Sequence, residues 1–332
     1  MRLAVACTLL LCLPTLWVAL AQTRAPIPSV APVPAATPAP SADAPVLIAE
    51  AGPLAATSLA ATPEQKASAR GGASCPGNPN ALGIARVVEI DTTGGPGFGF
   101  EQFKSHDFLR EGEVVLTFDD GPWPKNTPAV LAALASHCTK AIFFPIGQHA
   151  IYEPGILKRV AAAGHAIGSH TWSHQDLSKK SFQEGKDEIE KGISAVRWAA
   201  GAPTAPYFRF PALRHTPELV TYLSQRNISI FSTDFDSFDF KSRKPEQVRQ
   251  AVIAKLKKHG KGIALMHDFQ HATAEAAAEL LKDLKAGGYK VVFMKPRGPL
   301  STIASYDEAI LRDAKILPVD RRPTSSVVRA ID

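Results

Sequence analysis

From Val114 to Met294 the chain repeats one pattern, a short apolar run too brief for a helix followed by an amphipathic stretch. The runs are VVLTF (114–118), AIFFPIG (141–147), HAIGSHT (165–171), YFRF (207–210), ISIFSTDFD (228–236), GIALMHD (262–268) and KVVFM (290–294). All are rich in β-branched or aromatic residues, which suit a pleated surface, and they read as strands. Between them, Phe182, Ile189, Ile193 and Val196 recur at helical spacing, as do Val248, Val252 and Leu256. ATAEAAAELLKDLKAGG ends on glycines that suit a helix stop, and Thr127-Pro128 reads as an N-cap followed by proline at the first helical position. About seven alternations of strand and helix predict an α/β fold whose parallel sheet is closed or nearly closed into a barrel.

The flanks follow other rules. Arg2 precedes an apolar run, Leu3 to Leu20, that ends in Ala19-Leu20-Ala21, the small-x-small pattern of a signal-peptidase site. Residues 1–21 are therefore expected to be a signal peptide, placing the mature protein in the periplasm or outside the cell, in association with the envelope. The alternative is a retained membrane anchor. Pro14, the marginal length and the lack of following stop-transfer charges speak against it, so no stable transmembrane anchor is expected. Cys12 lies inside the apolar run, which argues against a lipoprotein signal. Residues 22–73 are Ala, Pro, Ser and Thr with almost no aromatics; such a stretch cannot offset its ordering entropy and reads as a disordered linker. Residues 74–113 read as an N-terminal extension packed on the barrel, 114–300 as the main domain, and 301–332, where the alternation stops, as a C-terminal tail.

Export would leave two cysteines, Cys75 and Cys138, in a compartment that permits disulfides, and they are expected to pair. The chain-entropy model assigns such a link roughly 4 kcal/mol; two unpaired buried thiols are the alternative. The glycine-rich TTGGPGFGF (92–100) lacks a following Lys-Ser/Thr and opens no helical pattern, so it reads as a packed surface loop and not a phosphate loop. A formal net charge of +6 is mild for 332 residues. Lysines as in KLKKHGK (255–261) are not interleaved with aromatics, which reads as a solvated face and excludes nucleic acid as the expected partner.

In a barrel of this kind, reactive groups gather at the C-terminal ends of the strands. Five polar clusters fall there: Asp119-Asp120, His170 with His174, Arg209, the group Asp234, Asp236 and Asp239, and His267-Asp268. A carboxylate plus two histidines suits a catalytic zinc, because three protein ligands leave one position open for water. A second carboxylate then makes sense as general base, an arginine as its charge partner, and a histidine held by an aspartate as the acid that protonates a leaving group. Taken singly, each piece favours structure: an Asp pair before Gly-Pro is most often a turn, and His-x-x-x-His arises by chance on many helices. His149, His165, His215 and His271 have no motif partner.

TFDDGP (117–122), HTWSH (170–174), RFP (209–211), DSFDF (236–240) and LMH (265–267) resemble, in order, the five motifs of the NodB-homology polysaccharide deacetylases, carbohydrate esterase family 4. The resemblance covers roughly Val114 to Met294 and implies a distorted (β/α) barrel. It implies Asp119 as general base, Asp120, His170 and His174 as ligands of a divalent metal (Zn²⁺ first, Co²⁺ or another divalent ion otherwise), Arg209 as orienter of the base, His267 as general acid and Asp236 as the group tuning that acid. The implied reaction removes acetate from an acetylated amino-sugar polymer or oligomer, chitin-like or peptidoglycan. Two positions depart from the family pattern. Ala212-Leu213 stands where Tyr-Gly is usual, so the backbone N–H of Ala212 would serve the oxyanion. Phe240 stands where tryptophan is usual and, with Trp172 and Trp123, would wall the substrate, with core packing as the alternative for the tryptophans. O-deacetylation of a polysaccharide such as acetylxylan, a His₂-carboxylate iron oxygenase and a non-catalytic glycan-binding module are the competing readings; the oxygenase leaves the second aspartate, Arg209 and His267 unexplained. The polymer and the oligomeric state stay open.

Overall fold

The computed structural model describes residues 75–316, so the expected signal peptide (1–21), the linker (22–73) and the tail beyond residue 316 lie outside the described residues. In chain order the elements are β1 (Arg86–Ile90), β2 (Gly97–Phe98), β3 (Glu113–Asp119), α1 (Asn126–Ser136), β4 (Ile142–Phe144), α2 (Gly147–Tyr152), α3 (Pro154–Ala162), β5 (Ala166–Ile167), α4 (Phe182–Ala200), β6 (Tyr207–Phe208), α5 (Pro217–Gln225), β7 (Ser229–Phe231), β8 (Phe235–Asp236), α6 (Pro245–His259), β9 (Gly262–His267), α7 (His271–Ala286), β10 (Lys290–Pro296) and α8 (Ala304–Ile316). Each apolar run read from the sequence contains a strand, and the long ISIFSTDFD run holds two.

Every strand pairing is parallel. Strands β9, β3, β4 and β5 lie side by side, and a single bridge from Ser169 to Phe208 carries the ring into β6 and β7. The chain then turns into β8, which returns to β9. β10 meets only the first two residues of β3 and carries β1 outside that ring. Strands of two or three residues leave the wall discontinuous, which is the physical content of the distortion in this barrel.

The 74–113 segment is more than an extension packed on a finished sheet: β1 pairs with β10 over its whole length, and β2 pairs with β7. The glycine-rich stretch is thus part sheet, and Gly99 (φ 98°) lets the backbone pass so close to β7 that a Cβ would lie 2.5 Å from the Thr233 nitrogen. Residues 304–316 dock as α8 on α4. Ile310 is buried with Ile151 and Ala195, and Lys191 pairs with Asp313 at 2.8 Å. Cys75 and Cys138 are joined, their Cα atoms 5.6 Å apart, linking the first described residue to the end of α1.

β3 runs through the centre and is buried throughout. With the two-residue period of a strand, Val114, Leu116 and Phe118 face the helix layer with Val130, Leu134, Leu280 and Leu281. Val115 joins the barrel interior with Ile142, Phe144, Tyr207, Phe231 and Ile263. Asp119 belongs to this inward set, so alternation already aims it at the ring's mouth. Helix starts follow local chemistry where solvent permits. Ser181 and Glu184 form a capping box on α4, and Thr216 caps α5 ahead of Pro217. Thr127 departs from expectation. α1 begins at Asn126, and the buried Thr127 hydroxyl accepts from the Trp123 N–H at 2.8 Å and donates to Asp268, a tertiary use that outcompetes capping.

Candidate active site

Register brings the first two clusters together, because Asp119 at the end of β3 pairs with Phe144 on one side and His267 on the other. Arg209, one residue beyond β6, reaches into the same mouth and is fully buried. Its Nη1 donates to Asp119 Oδ1 at 2.6 Å and to Thr117 Oγ1 at 2.8 Å, and Nε and Nη2 donate to the carbonyls of Phe231 and Ser232. The guanidinium lies 4.5 Å from the centre of the Phe144 ring. A buried guanidinium is tolerated only when its donors are used and its charge is met, as they are here.

The chain then reverses at Asp120 (φ 72°), a left-handed conformation that costs a non-glycine residue energy and swings this carboxylate away from its neighbour. The backbone is pinned from two sides: the Asp120 N–H donates to the Phe144 carbonyl at 3.1 Å, and His149 Nδ1–H donates to the Asp120 carbonyl at 2.6 Å. His149, to which the sequence assigned no role, is therefore a support of this turn. Below it, the Gly121 N–H donates to the buried Asp268 at 3.1 Å, and a Cβ on Gly121 would lie 2.3 Å from that carboxylate. Burial, reinforced by the Asp120 charge, pushes the Asp268 pKa up to about 7.

His170 and His174 sit in a tight loop, not a helix, with Thr171 and His174 both left-handed (φ 68° and 57°). Glu188 of α4 ties the loop down by accepting from the N–H and hydroxyl of Ser173 at 2.9 and 2.7 Å. Asp120 Oδ1 lies 3.5 Å from His170 Nε2 and 3.4 Å from His174 Nε2. His170 Nδ1–H donates to the Arg209 carbonyl at 2.7 Å, which leaves a lone pair on Nε2. Burial drops the His170 pKa to about 4, so the ring is neutral at pH 7. Burial also acts against the Asp120 carboxylate, but His174, His267 and His170 around it pull its pKa below the ordinary value. Asp120 Oδ1 is buried with no hydrogen-bond donor. An orphaned carboxylate oxygen facing imidazole nitrogens is what a divalent cation would satisfy. Among the described residues, Asp120, His170 and His174 form the one cluster of this kind.

His267 stands opposite, its Nε2 4.0 Å from Asp120 Oδ2. Its partner corrects the sequence reading: Asp239, not Asp236, meets Nδ1 at 2.6 Å. Asp239 is fully buried and also accepts from the His267 backbone N–H at 2.8 Å and the Thr273 hydroxyl at 2.6 Å. Asp236 accepts from the Phe238 N–H at 2.8 Å, an Asx-type turn made possible by the left-handed Phe238 (φ 52°). That turn carries Asp236 aside and delivers Asp239. Burial alone would lower the His267 pKa; the charge and hydrogen bond of Asp239, with the Asp120 and Asp119 charges, more than offset it and hold it at about 10.

Ala212 and Leu213 form a left-handed turn (φ 50° and 58°) three residues after Arg209. Phe240 is 49% exposed with its ring centre 5.7 Å edge-on from His267. Trp172 is instead a packing residue, set against Ile151, Ala195 and Ile310 with Lys191 Nζ 4.1 Å from the ring centre. Trp123 is half-buried, edge-on to His149 at 5.4 Å and to Phe269 at 6.5 Å.

Comparison with known proteins places these residues in context. A family model, Polysaccharide deacetylase, matches residues 108–230. The chain is 35% identical over 182 residues to the peptidoglycan-N-acetylglucosamine deacetylase PgdA of Listeria monocytogenes serotype 1/2a (strain 10403S), covering 54% of this chain but only 37% of that relative. It is 31% identical over 155 residues to a chitooligosaccharide deacetylase of Bradyrhizobium sp. (strain ANU 289), covering 47% of this chain and 70% of the relative. Among solved structures, a Bdellovibrio bacteriovorus peptidoglycan deacetylase matches with a TM-score of 0.59 and 34% identity, over 64% of this chain and 59% of that one. A Bacillus anthracis protein described as a CE4 family pseudoenzyme matches at 0.51 and 26%, over 55% and 63%. Since one fold carries both descriptions, side chains and not architecture decide what a member does. This chain, in sequence and in fold, belongs to the polysaccharide deacetylase family.

Proposed function

We propose that this chain is a divalent-metal-dependent hydrolase that removes N-acetyl groups from an amino-sugar polymer or oligomer and releases acetate. The observation that carries the reading is the division of labour between two adjacent aspartates. One oxygen of Asp119 is held by Arg209 at 2.6 Å, while Asp120 turns away and offers an unsatisfied oxygen to two histidines. Names of relatives support the substrate class, peptidoglycan N-acetylglucosamine in one and chitooligosaccharide in another. The apolar run from Leu3 to Leu20 and the small-x-small pattern ending at Ala21 support export to the envelope, where such polymers lie.

Asp120, His170 and His174 would hold the metal, and two imidazoles with one carboxylate suit Zn²⁺ first and Co²⁺ next. When bound, the ion supplies Lewis-acid polarisation and makes a water acidic near neutral pH. Asp119 Oδ2, 3.8 Å from His170 Nε2, faces the ligand set and takes the proton of the attacking water. Arg209 keeps that carboxylate in position. The Ala212 N–H donates to the oxyanion that develops on the acetamido carbonyl. His267, its Nδ1 held by Asp239, gives a proton from Nε2 to the departing amine. Phe240 keeps one side of the pocket apolar. The test is acetate release from chitooligosaccharides, peptidoglycan and acetylxylan, with and without chelator. Chelator-sensitive release from an N-acetylated polymer is expected; release from acetylxylan alone would move the reaction to O-deacetylation, and none from any polymer would end the catalytic reading.

A further inference from the structure

Ala212 and Leu213 adopt a left-handed backbone one after the other, at φ 50° and 58°. Glycine reaches that region freely, but a Cβ crowds the neighbouring carbonyl there, so alanine followed by leucine holds it only where other contacts oppose relaxation. The turn makes two bonds of its own: the Leu213 N–H donates to the Phe210 carbonyl at 2.9 Å and the Arg214 N–H to the Pro211 carbonyl at 3.0 Å. The Ala212 N–H meets no acceptor among the described residues, and this is the donor that the proposed reaction uses.

Further contacts come from two other segments. Gln102, in the 74–113 segment just after β2, donates from Nε2 to the Leu213 carbonyl at 2.6 Å. Its neighbour Phe103 lies nearly parallel to His215, ring centres 6.3 Å apart, and His215 also meets Phe210 at 5.0 Å. Arg214 Nη1 donates to Asp176 Oδ2 at 3.0 Å. Asp176 stands two residues beyond His174, and its other oxygen accepts from the Ser178 hydroxyl at 2.6 Å and N–H at 3.1 Å, so it is fixed independently of the arginine. The extension thus grips the turn at residues 213 and 215, and the loop carrying His170 and His174 grips it at 214.

Neither polar contact does much for the fold as a whole, since Gln102 is exposed and the Arg214 side chain is 60% exposed. Their effect is local: each acts on a peptide unit next to the left-handed pair and resists the rotation that would turn the Ala212 N–H away. We propose that Gln102 and Arg214 are positioning residues that hold the Ala212 N–H toward the developing oxyanion, so that the 74–113 segment helps to complete the site. The inference rests on the deacetylase reading and adds two residues to it.

The test compares the zinc-loaded wild type with the Gln102→Met, Arg214→Met double variant, which keeps both stems and removes both contacts; Lys179, 3.5 Å from Asp176, leaves that carboxylate paired. Amide hydrogen exchange at Leu213 and Arg214, which needs no turnover, is expected to run about tenfold faster in the variant. In acetate release from N-acetylchitooligosaccharide and peptidoglycan, kcat should fall by about fivefold to tenfold, less than outright loss of an oxyanion donor, with KM within about twofold and metal stoichiometry unchanged. Adding Leu213→Gly, which takes the left-handed backbone without strain, should restore most of kcat. Unchanged exchange at the turn, unchanged kcat in an enzyme whose wild type is active, or a kcat loss that Leu213→Gly leaves in place overturns the proposal. If wild type releases no acetate from either polymer while exchange at the turn still depends on Gln102 and Arg214, the deacetylase reading falls and the brace on the turn stands.

Discussion

The two ends of β3 each carry a carboxylate paired with an arginine, yet they do opposite things. At the start, Glu113 takes Arg86 Nε at 2.9 Å and Nη2 at 2.5 Å and also the Arg110 N–H at 2.8 Å, so both of its oxygens are engaged. The Arg86 hydrogen bond, set against a smaller burial effect, holds the Glu113 pKa below the ordinary carboxylate range. At the finish, Arg209 occupies one oxygen of Asp119 and leaves the other facing His170 at 3.8 Å, while the next carboxylate has an oxygen with no donor at all. Backbone strain gathers at this end too, at Asp120, Thr171, His174, Ala212, Leu213 and Phe238. A saturated pair locks a strand in place; a partly satisfied pair, held by strained loops, keeps acceptor capacity for a ligand and a proton.

Breaking the open end at the proposed metal ligands should have the largest effect. His170→Ala is expected to reduce acetate release to background and to lose bound metal, checked by metal stoichiometry alongside turnover. Asp119→Asn keeps the ligands, so metal content should stay intact while kcat falls by about 10² to 10⁴; full activity in this variant would remove the base assignment. Arginine removal then compares the two ends directly. Arg209→Ala leaves a buried carboxylate unpaired and should cost about 3–5 kcal/mol in denaturant unfolding. Arg86→Ala should cost less, about 1–2 kcal/mol, because Arg86 is itself partly exposed and the Arg110 N–H still donates to Glu113. The smallest effect sharpens the loop assignment. In its proposed role as acid His267 must be protonated, and a raised pKa would keep it so through neutral pH, with activity expected to fall as pH rises toward about 10. Asp239→Asn removes the charge that raises it, so the alkaline limb should shift down toward the ordinary 6.5, whereas Asp236→Asn should leave the limb close to wild type. An equal shift in both variants would contradict the contact at Asp239.

Much of this was legible in the chain. Short apolar runs have little choice but to pair in a sheet, and the two-residue period of VVLTFD already puts Asp119 on the inner face with Val115 and Thr117. The spacing of His170 and His174 made a metal pair plausible without a helix. Less legible were residues whose role depends on what lies across space. Thr127 has an N-cap's local sequence but spends its hydroxyl on Asp268, and Trp172 sits between His170 and His174 yet packs under α8. β1 and β2 were missed because edge strands of mixed burial lack the continuous apolar signature.

The sequence by itself determined the alternation of strand and helix, the order of the polar clusters and their place at strand ends, because these follow from periodicity and the short reach of local backbone preferences. Only the tertiary structure decided which aspartate grips His267. Asp236 and Asp239 are three residues apart in one loop, chemically identical, and a single left-handed residue, Phe238, sends one to a backbone amide and the other to the imidazole. Partner choice of that kind turns on ångström-scale distances between segments far apart in the chain, which no local pattern encodes.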